Sequence, residues 1–200
     1  MHYNLPTISE ILSKANVQYA EGCYIYGSRV YGTSDIESDW DILLISNEVT
    51  EETEISDDRL DIHVIPSSTF KDWVGINSIK AIECLFAPKW AILKDFKCVF
   101  YFNESGYRHE ISKTASNSWV KAKKKIEQGD YKIGIKSAFH CIRIVDFGIQ
   151  LSENGYIDFN SCDDIWDDLM SKKWSYDELK IKYKPIYNRK MSRFRELCKK

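Results

Sequence analysis

Apolar positions along the chain fall into two patterns that change near the middle. In the first hundred residues they come as short runs. Cys23 to Tyr26, Trp40 to Ile45 and Arg59 to Ile65 are rich in β-branched and large apolar side chains, and each reads as a strand. Thr7-Ile8-Ser9-Glu10 has the form of a capping box opening a helix whose stripe is Ile8, Ile11, Leu12 and Ala15. Gly27-Ser28 stops the first strand, and residues 28–33 read as a tight turn into a short helix. The acidic stretch from Asn47 to Asp58 reads as a loop or hairpin connection. Ser67 or Ser68 is the expected cap of a helix carrying Phe70, Trp73 and Val74, with another apolar helix at 77–86. From about residue 107 the apolar spacing becomes helical over long stretches. Helices are expected over roughly 108–128 and 131–153, the second with Ile135, Phe139, Ile142, Val145 and Ile149 on one stripe and Asn154-Gly155 as its stop. A short helix follows near 163–171, and Ser175-Tyr176-Asp177-Glu178 is a second capping box that leads into a basic C-terminal segment. The pattern is an α/β region over 1–95 followed by a mainly helical region over 96–200.

Composition supports a folded chain. It is 44% hydrophobic and 29% charged over 200 residues, and a chain of this length buries roughly 70% of its unfolded surface without help from disulfides or structural metal. The formal net charge of −2 conceals an asymmetry. Residues 1–100 hold 8 Lys and Arg against 16 Asp and Glu, whereas residues 101–200 hold 20 against 14. An acidic half joined to a basic half suggests a polyanionic ligand on the basic side. No apolar run approaches the ~18 residues of a membrane span, and the N-terminus has no basic and apolar leader pattern. The six cysteines are scattered without a CxxC pair and read as free thiols of a cytoplasmic protein. The four histidines form no paired metal motif, and there is no internal repeat.

Chemistry concentrates between Tyr26 and Ile65. Asp39 and Asp41 are two residues apart entering a strand, so they project to one face and can share an ion. Asp61, flanked by Leu60 and Ile62 in the next strand, can add a third carboxylate. Three acids on one sheet face repel unless divalent cations neutralise them, and their hard oxygens suit Mg²⁺ or Mn²⁺. Gly27 and Ser28, at a strand end, offer backbone N–H groups and a hydroxyl to a phosphate. Metal carboxylates beside a phosphate cradle are the parts of two-metal phosphoryl transfer. Simpler readings stand beside these. Asp39 and Asp41 also fit solvated strand-edge acids, Asp61 fits a salt bridge to Arg59, and Asp35 and Glu37 fit loop capping. Arg29 fits a phosphate contact or a cover for the turn, and His63 fits a packing role.

Gly27-Ser28-Arg29-Val30-Tyr31-Gly32-Thr33 followed by Ser38-Asp39-Trp40-Asp41, with Asp61 on a later strand, resembles the DNA polymerase beta-like nucleotidyltransferase superfamily, and most closely its small predicted members. The resemblance covers residues 22–65. It implies an α+β fold, a small mixed β-sheet flanked by helices and followed by a helical C-terminal part that walls the cleft. It further implies that Gly27, Ser28 and Arg29 contact a nucleotide, that Asp39, Asp41 and Asp61 are catalytic and hold Mg²⁺ or Mn²⁺, and that an NTP is the substrate. A hydroxyl, on RNA or on a protein, would receive the nucleoside monophosphate as pyrophosphate leaves. A toxin–antitoxin component that nucleotidylates a partner protein and a non-catalytic nucleotide- or nucleic-acid-binding protein are the alternatives.

The second half adds Lys132, Lys136, His140 and Arg143, which share one face of the helix expected at 131–153. The segment from Lys136 to Arg143 is similar to one following the catalytic domain in those small nucleotidyltransferases, which implies that Lys136, His140 and Arg143 contact the nucleotide's phosphates. A solvated basic face explains the same spacing. Residues 180–200 carry nine Lys and Arg and one Glu, with Tyr183, Tyr187 and Phe194 interleaved, a composition suited either to nucleic acid or to an amphipathic surface helix.

Overall fold

The computed structural model describes residues 4–199; His2 and Lys200, and the start of the N-terminal segment read above for a leader, lie outside them. The described residues divide into two compact units, one ending at Tyr101 and the other beginning at Phe102.

The first unit is an α+β layer structure. Helix α1 (Ile8–Ala15) starts at Thr7, whose hydroxyl accepts the Glu10 N–H at 3.3 Å, and buries Ile11. Strands β1 (Gly22–Tyr26), β2 (Trp40–Ser46), β3 (Thr53–Ser56) and β4 (Leu60–Pro66) follow, then helices α2 (Ser67–Gly75) and α3 (Ile79–Leu85) and the short strand β5 (Ile92–Lys94). The sheet order is β3-β4-β2-β1-β5. β2 and β4 run parallel, while the other neighbours are antiparallel. Strand residues that pair side by side share a face, and residues two apart along a strand share it too. One face is therefore Tyr24, Leu43, Ile45 and Ile65, sealed by Phe70 and Val74 of α2 and Ala81 and Cys84 of α3. The opposite face carries Cys23, Ile25, Ile42, Leu44 and Ile62, all without exposure. Continuous apolar runs are what a sheet covered on both sides requires.

The stretch read as a loop or hairpin is a hairpin in which β3 pairs antiparallel with β4. Its residues are mostly exposed, so no apolar period marked it. β5 has only three residues, too few to show an alternating period. α2 begins one residue earlier than expected: Pro66 stands at the cap, and Ser67 bonds Glu21 instead. Residues 27–29 form a single 3₁₀ turn where a short helix was expected.

The second unit is helical: α4 (Glu104–Glu127), α5 (Tyr131–Asn154), α6 (Asp163–Met170) and α7 (Tyr176–Leu197). α4 starts earlier than its apolar period, because the Asn103 side chain accepts from Gly106 N–H at 3.0 Å. Ser175 and Glu178 form the reciprocal capping box at the head of α7. α5 is the central helix, buried almost all round from Gly134 to Ile149. Gly148 lets α5 approach Phe194 and Ile111 closely, since a Cβ there would sit 2.7 Å from the Phe194 ring. All six cysteines are free thiols, and burial pushes those of Cys23, Cys141 and Cys162 up to about 12, which makes them poor nucleophiles.

Phe70 is fully buried, stacked with Tyr24 at 6.1 Å and edge-on to Phe96 at 5.1 Å. Phe70→Ala should destabilise the protein by about 3–5 kcal/mol in urea unfolding. Ile181→Ala on α7, where the side chain is 77% exposed, should change it by no more than about 0.5 kcal/mol.

Candidate active site

The register of β1, β2 and β4 builds the site. Tyr26 pairs with Asp41, Asp41 pairs with Asp61, and Asp61 pairs with Ser56 of β3. These four residues form one polar row across four strands, on the sheet face whose next rows are the apolar core under α2 and α3. Both acids are half-buried, and the Ser56 hydroxyl donates to Asp61 Oδ1 at 2.9 Å. Burial first, and then the charges of Asp41 and Asp61, raise the Tyr26 hydroxyl far above the ordinary phenol range. It is thus a neutral hydrogen-bonding group beside both acids.

Gly27 turns the chain out of β1 with φ +75°. A Cβ at this position would overlap the Asp41 carboxylate, so the turn packs directly on that side chain. The Ser28 N–H donates to Asp41 Oδ2 at 3.3 Å. The segment then folds on itself: Val30 and Tyr31 N–H both donate to the Gly27 carbonyl at 3.1 Å, and Thr33 N–H donates to the Ser28 carbonyl at 2.9 Å. Four N–H groups of the segment are thereby used inside the fold, which fixes the shape of the turn beside Asp41.

Asp39 lies one residue before β2, half-buried. Arg29 holds this approach. Its Nε donates to the Asp39 carbonyl at 3.0 Å, its Nη2 bonds the Ser38 carbonyl, and its guanidinium lies 4.2 Å from the centre of the Trp40 ring. Arg29 therefore fixes the segment that delivers Asp39. Asp35 caps its own loop, with Ser38 Oγ donating to it at 2.9 Å.

The donor chemistry fits a hard divalent cation: Asp41 and Asp61 pair in register on neighbouring strands, and Asp39 stands two residues before Asp41. Among the described residues, no three His, Cys, Asp or Glu side chains already converge as a ligand group. The Asp41–Asp61 pair is the nucleus of the candidate site.

The sequence reading missed Lys80. Its ammonium donates to His63 Nδ1 at 3.1 Å and lies 5.1 Å from the Tyr26 ring centre and 5.4 Å from that of Trp73. His63 Nε2 in turn meets Glu52 Oε2 at 3.1 Å. His63 is buried and packs against Trp73. A cation is thus held beside the polar row by a histidine on the strand that carries Asp61. A Lys and a Glu three residues apart in a helix read as apolar were the available signal.

In the second unit the expected basic face of α5 is graded by burial. Lys132 is exposed, Lys136 and His140 are partly exposed, and Arg143 is 1% exposed. Arg143 Nη2 donates to His140 Nδ1 at 2.8 Å, and its guanidinium lies 4.9 Å from the Phe147 ring centre. Burial, with Arg143 and Lys121 nearby, pulls His140 down to about 3, so the imidazole is neutral at physiological pH. On α7 the interleaved aromatics Tyr183, Tyr187 and Phe194 are buried and present no stacking platform to bases. Several tail cations are engaged: Lys182 with Asp168 at 2.6 Å, Arg193 with Glu153 at 2.6 Å, and Lys190 with Asp146. Lys184 lies over the Tyr187 ring at 4.4 Å.

No known family model matches the chain, and no curated protein matches it. Among solved structures it is similar to a nucleotidyltransferase-like protein from Exiguobacterium sibiricum 255-15, with 11% identity over 96% of this chain and 73% of that one and a TM-score of 0.31. That likeness is too low for residues to be transferred between the two.

Gly27→Ala forces a side chain into a positive-φ position against Asp41 and should lower unfolding stability by about 2 kcal/mol or more, measured by urea denaturation. Because His140 is held neutral, the unfolded chain binds its proton more readily than the folded one below the ordinary imidazole value of 6.5. Stability should therefore fall as pH drops from 6.5 toward 3, and His140→Gln should flatten that slope in a series of denaturation curves.

Proposed function

We propose that the first unit is a metal-dependent nucleotidyltransferase that moves a nucleoside monophosphate from an NTP to an acceptor hydroxyl. The observation that carries this reading is the in-register pair Asp41 and Asp61 with the Gly27–Ser28 turn packed on Asp41. Nothing else about such a pair helps a sheet, since like charges side by side on adjacent strands destabilise it.

In this reading Gly27 and Ser28 bind the triphosphate at the turn, the Ser28 hydroxyl donating to it while the Ser28 N–H stays on Asp41. Asp39 and Asp41 would hold Mg²⁺ or Mn²⁺, with Asp61 completing the acceptor side. When bound, the ions would neutralise charge on the phosphates and lower the barrier to deprotonating the acceptor. Asp61 accepts the proton of the acceptor hydroxyl, whose oxygen attacks the α-phosphorus. A new oxygen–phosphorus bond forms as the bond from the α-phosphorus to the bridging oxygen breaks, and pyrophosphate leaves with that electron pair. Arg29 holds the Ser38–Asp39 backbone so that Asp39 keeps its place. Lys80 supplies positive charge beside the acid row.

The test measures pyrophosphate release with each NTP, Mg²⁺ or Mn²⁺ and a panel of RNA, protein and small hydroxyl acceptors, alongside Mn²⁺ binding by electron paramagnetic resonance. The double variant Asp39→Ala, Asp41→Ala should release no more than a protein-free control and should lose the bound Mn²⁺ signal. Equal release by the variant and the wild type would sink the proposal.

A further inference from the structure

α3 is short and mostly apolar, yet it buries a carboxyl group. Glu83 is 6% exposed, between Ile82 and Cys84, which are fully buried. A carboxyl in such a place is costly unless a donor satisfies it. One donor is the Tyr31 hydroxyl, 2.6 Å from Glu83 Oε2 and 52 residues away in sequence. Tyr31 belongs to the self-folded segment from Gly27 to Thr33, where its own N–H donates to the Gly27 carbonyl at 3.1 Å. That segment contains two positive-φ glycines, Gly27 at +75° and Gly32 at +70°. Glycines widen the conformational choice of an unfastened chain, so a segment built around two of them needs a fixed point. The Tyr31–Glu83 bond ties it to a helix of the core.

We propose that Glu83 is a positioning residue that acts through Tyr31 to hold the Gly27–Thr33 segment in the self-bonded conformation that sets the Ser28 hydroxyl and the Gly27 turn beside Asp41 to receive a phosphate. The functional half of this inference rests on the nucleotidyltransferase reading; the latch itself does not. Glu83 touches no substrate in this role. It sets the shape of the cradle from behind, while Lys80, one turn earlier on the same helix, reaches His63 and the Tyr26 ring. α3 is then the element that holds both the turn and the cation of the candidate site.

Two measurements on Tyr31→Phe, Glu83→Leu and Glu83→Gln test it. The first is hydrogen exchange of the amides of residues 28–33 in the protein without ligand. Tyr31→Phe and Glu83→Leu should exchange these amides faster while leaving those of β2 and β4 protected. Glu83→Gln keeps an acceptor oxygen for the Tyr31 hydroxyl and should restore protection. The second is nucleotide affinity by calorimetry, with Ca²⁺ in place of the catalytic ion and an NTP as the probe. Losing a hydrogen bond of this kind should weaken NTP binding about tenfold or more, with Mn²⁺ binding unchanged. Unaltered exchange at 28–33 in Tyr31→Phe would overturn the latch whatever the enzyme proves to do. Altered exchange with unchanged NTP affinity, in a protein whose Asp41→Asn variant does lose NTP binding, would overturn Glu83 as a positioning residue. A wild type that binds no NTP overturns the nucleotidyltransferase reading and the functional half of this inference with it, and the exchange data then decide the latch alone.

Discussion

The first unit depends on one constraint, the parallel register of β2 and β4. It sets Asp41 beside Asp61 on strands about 4.8 Å apart, where like charges side by side destabilise a sheet. Apolar pairs farther along the strands hold the register against this repulsion: Ile42 with Ile62, Leu44 with Val64, and Ile45 with Ile65. A slip by one residue would turn each of those side chains to the wrong face. The apolar rows thus enforce an acidic row that would not form by itself. The same register, carried across β1, brings the end of that strand level with Asp41 and leaves Gly27 as the residue that must turn there.

Along the strands the face changes character over a short distance. Under α2 and α3 it is a dry core of Tyr24, Leu43, Ile45, Ile65, Phe70 and Val74. One strand step beyond, Tyr26, Asp41 and Asp61 are only partly covered. His63 and Lys80 mark the transition, and their polar atoms are paired with one another and with Glu52. Side chains at such a boundary have firm backing on the core side and access to water on the other. That combination suits groups that must keep a fixed geometry while exchanging ligands.

The strands β1, β2 and β4 were legible because each is a continuous apolar run, and the helices because caps such as Thr7 and Ser175 bracket an apolar period. Short or edge elements escaped: β3 is mostly exposed, and β5 is too brief to show alternation. The acids of the candidate site stood out because Asp41 and Asp61 interrupt apolar strands. Its supporting residues did not. Lys80 and Glu83 reach Tyr26 and Tyr31 from more than fifty residues away, and no local period announces such a meeting. Arg29 shows a different limit, since sequence identifies a guanidinium near a turn but not the carbonyls of Ser38 and Asp39 that engage it. On α5, spacing aligned Lys136, His140 and Arg143, while packing around a central helix left them with different exposures.

β3 gives the sheet its outer border, and its chemistry affects how the molecule behaves in a crowd. A free strand edge is a template on which another chain can add a strand. Here the edge is four residues long, carries Glu54 with Glu51 and Glu52 just before it, and exposes Thr53, Glu54 and Ser56. A second molecule docking edge to edge would set these glutamates against their own copies. Growth of the sheet in that direction is discouraged by the same sign of charge that Asp61 and Asp41 carry one and two strands inward, so the border keeps the Asp61 side of the sheet from being closed off by self-association.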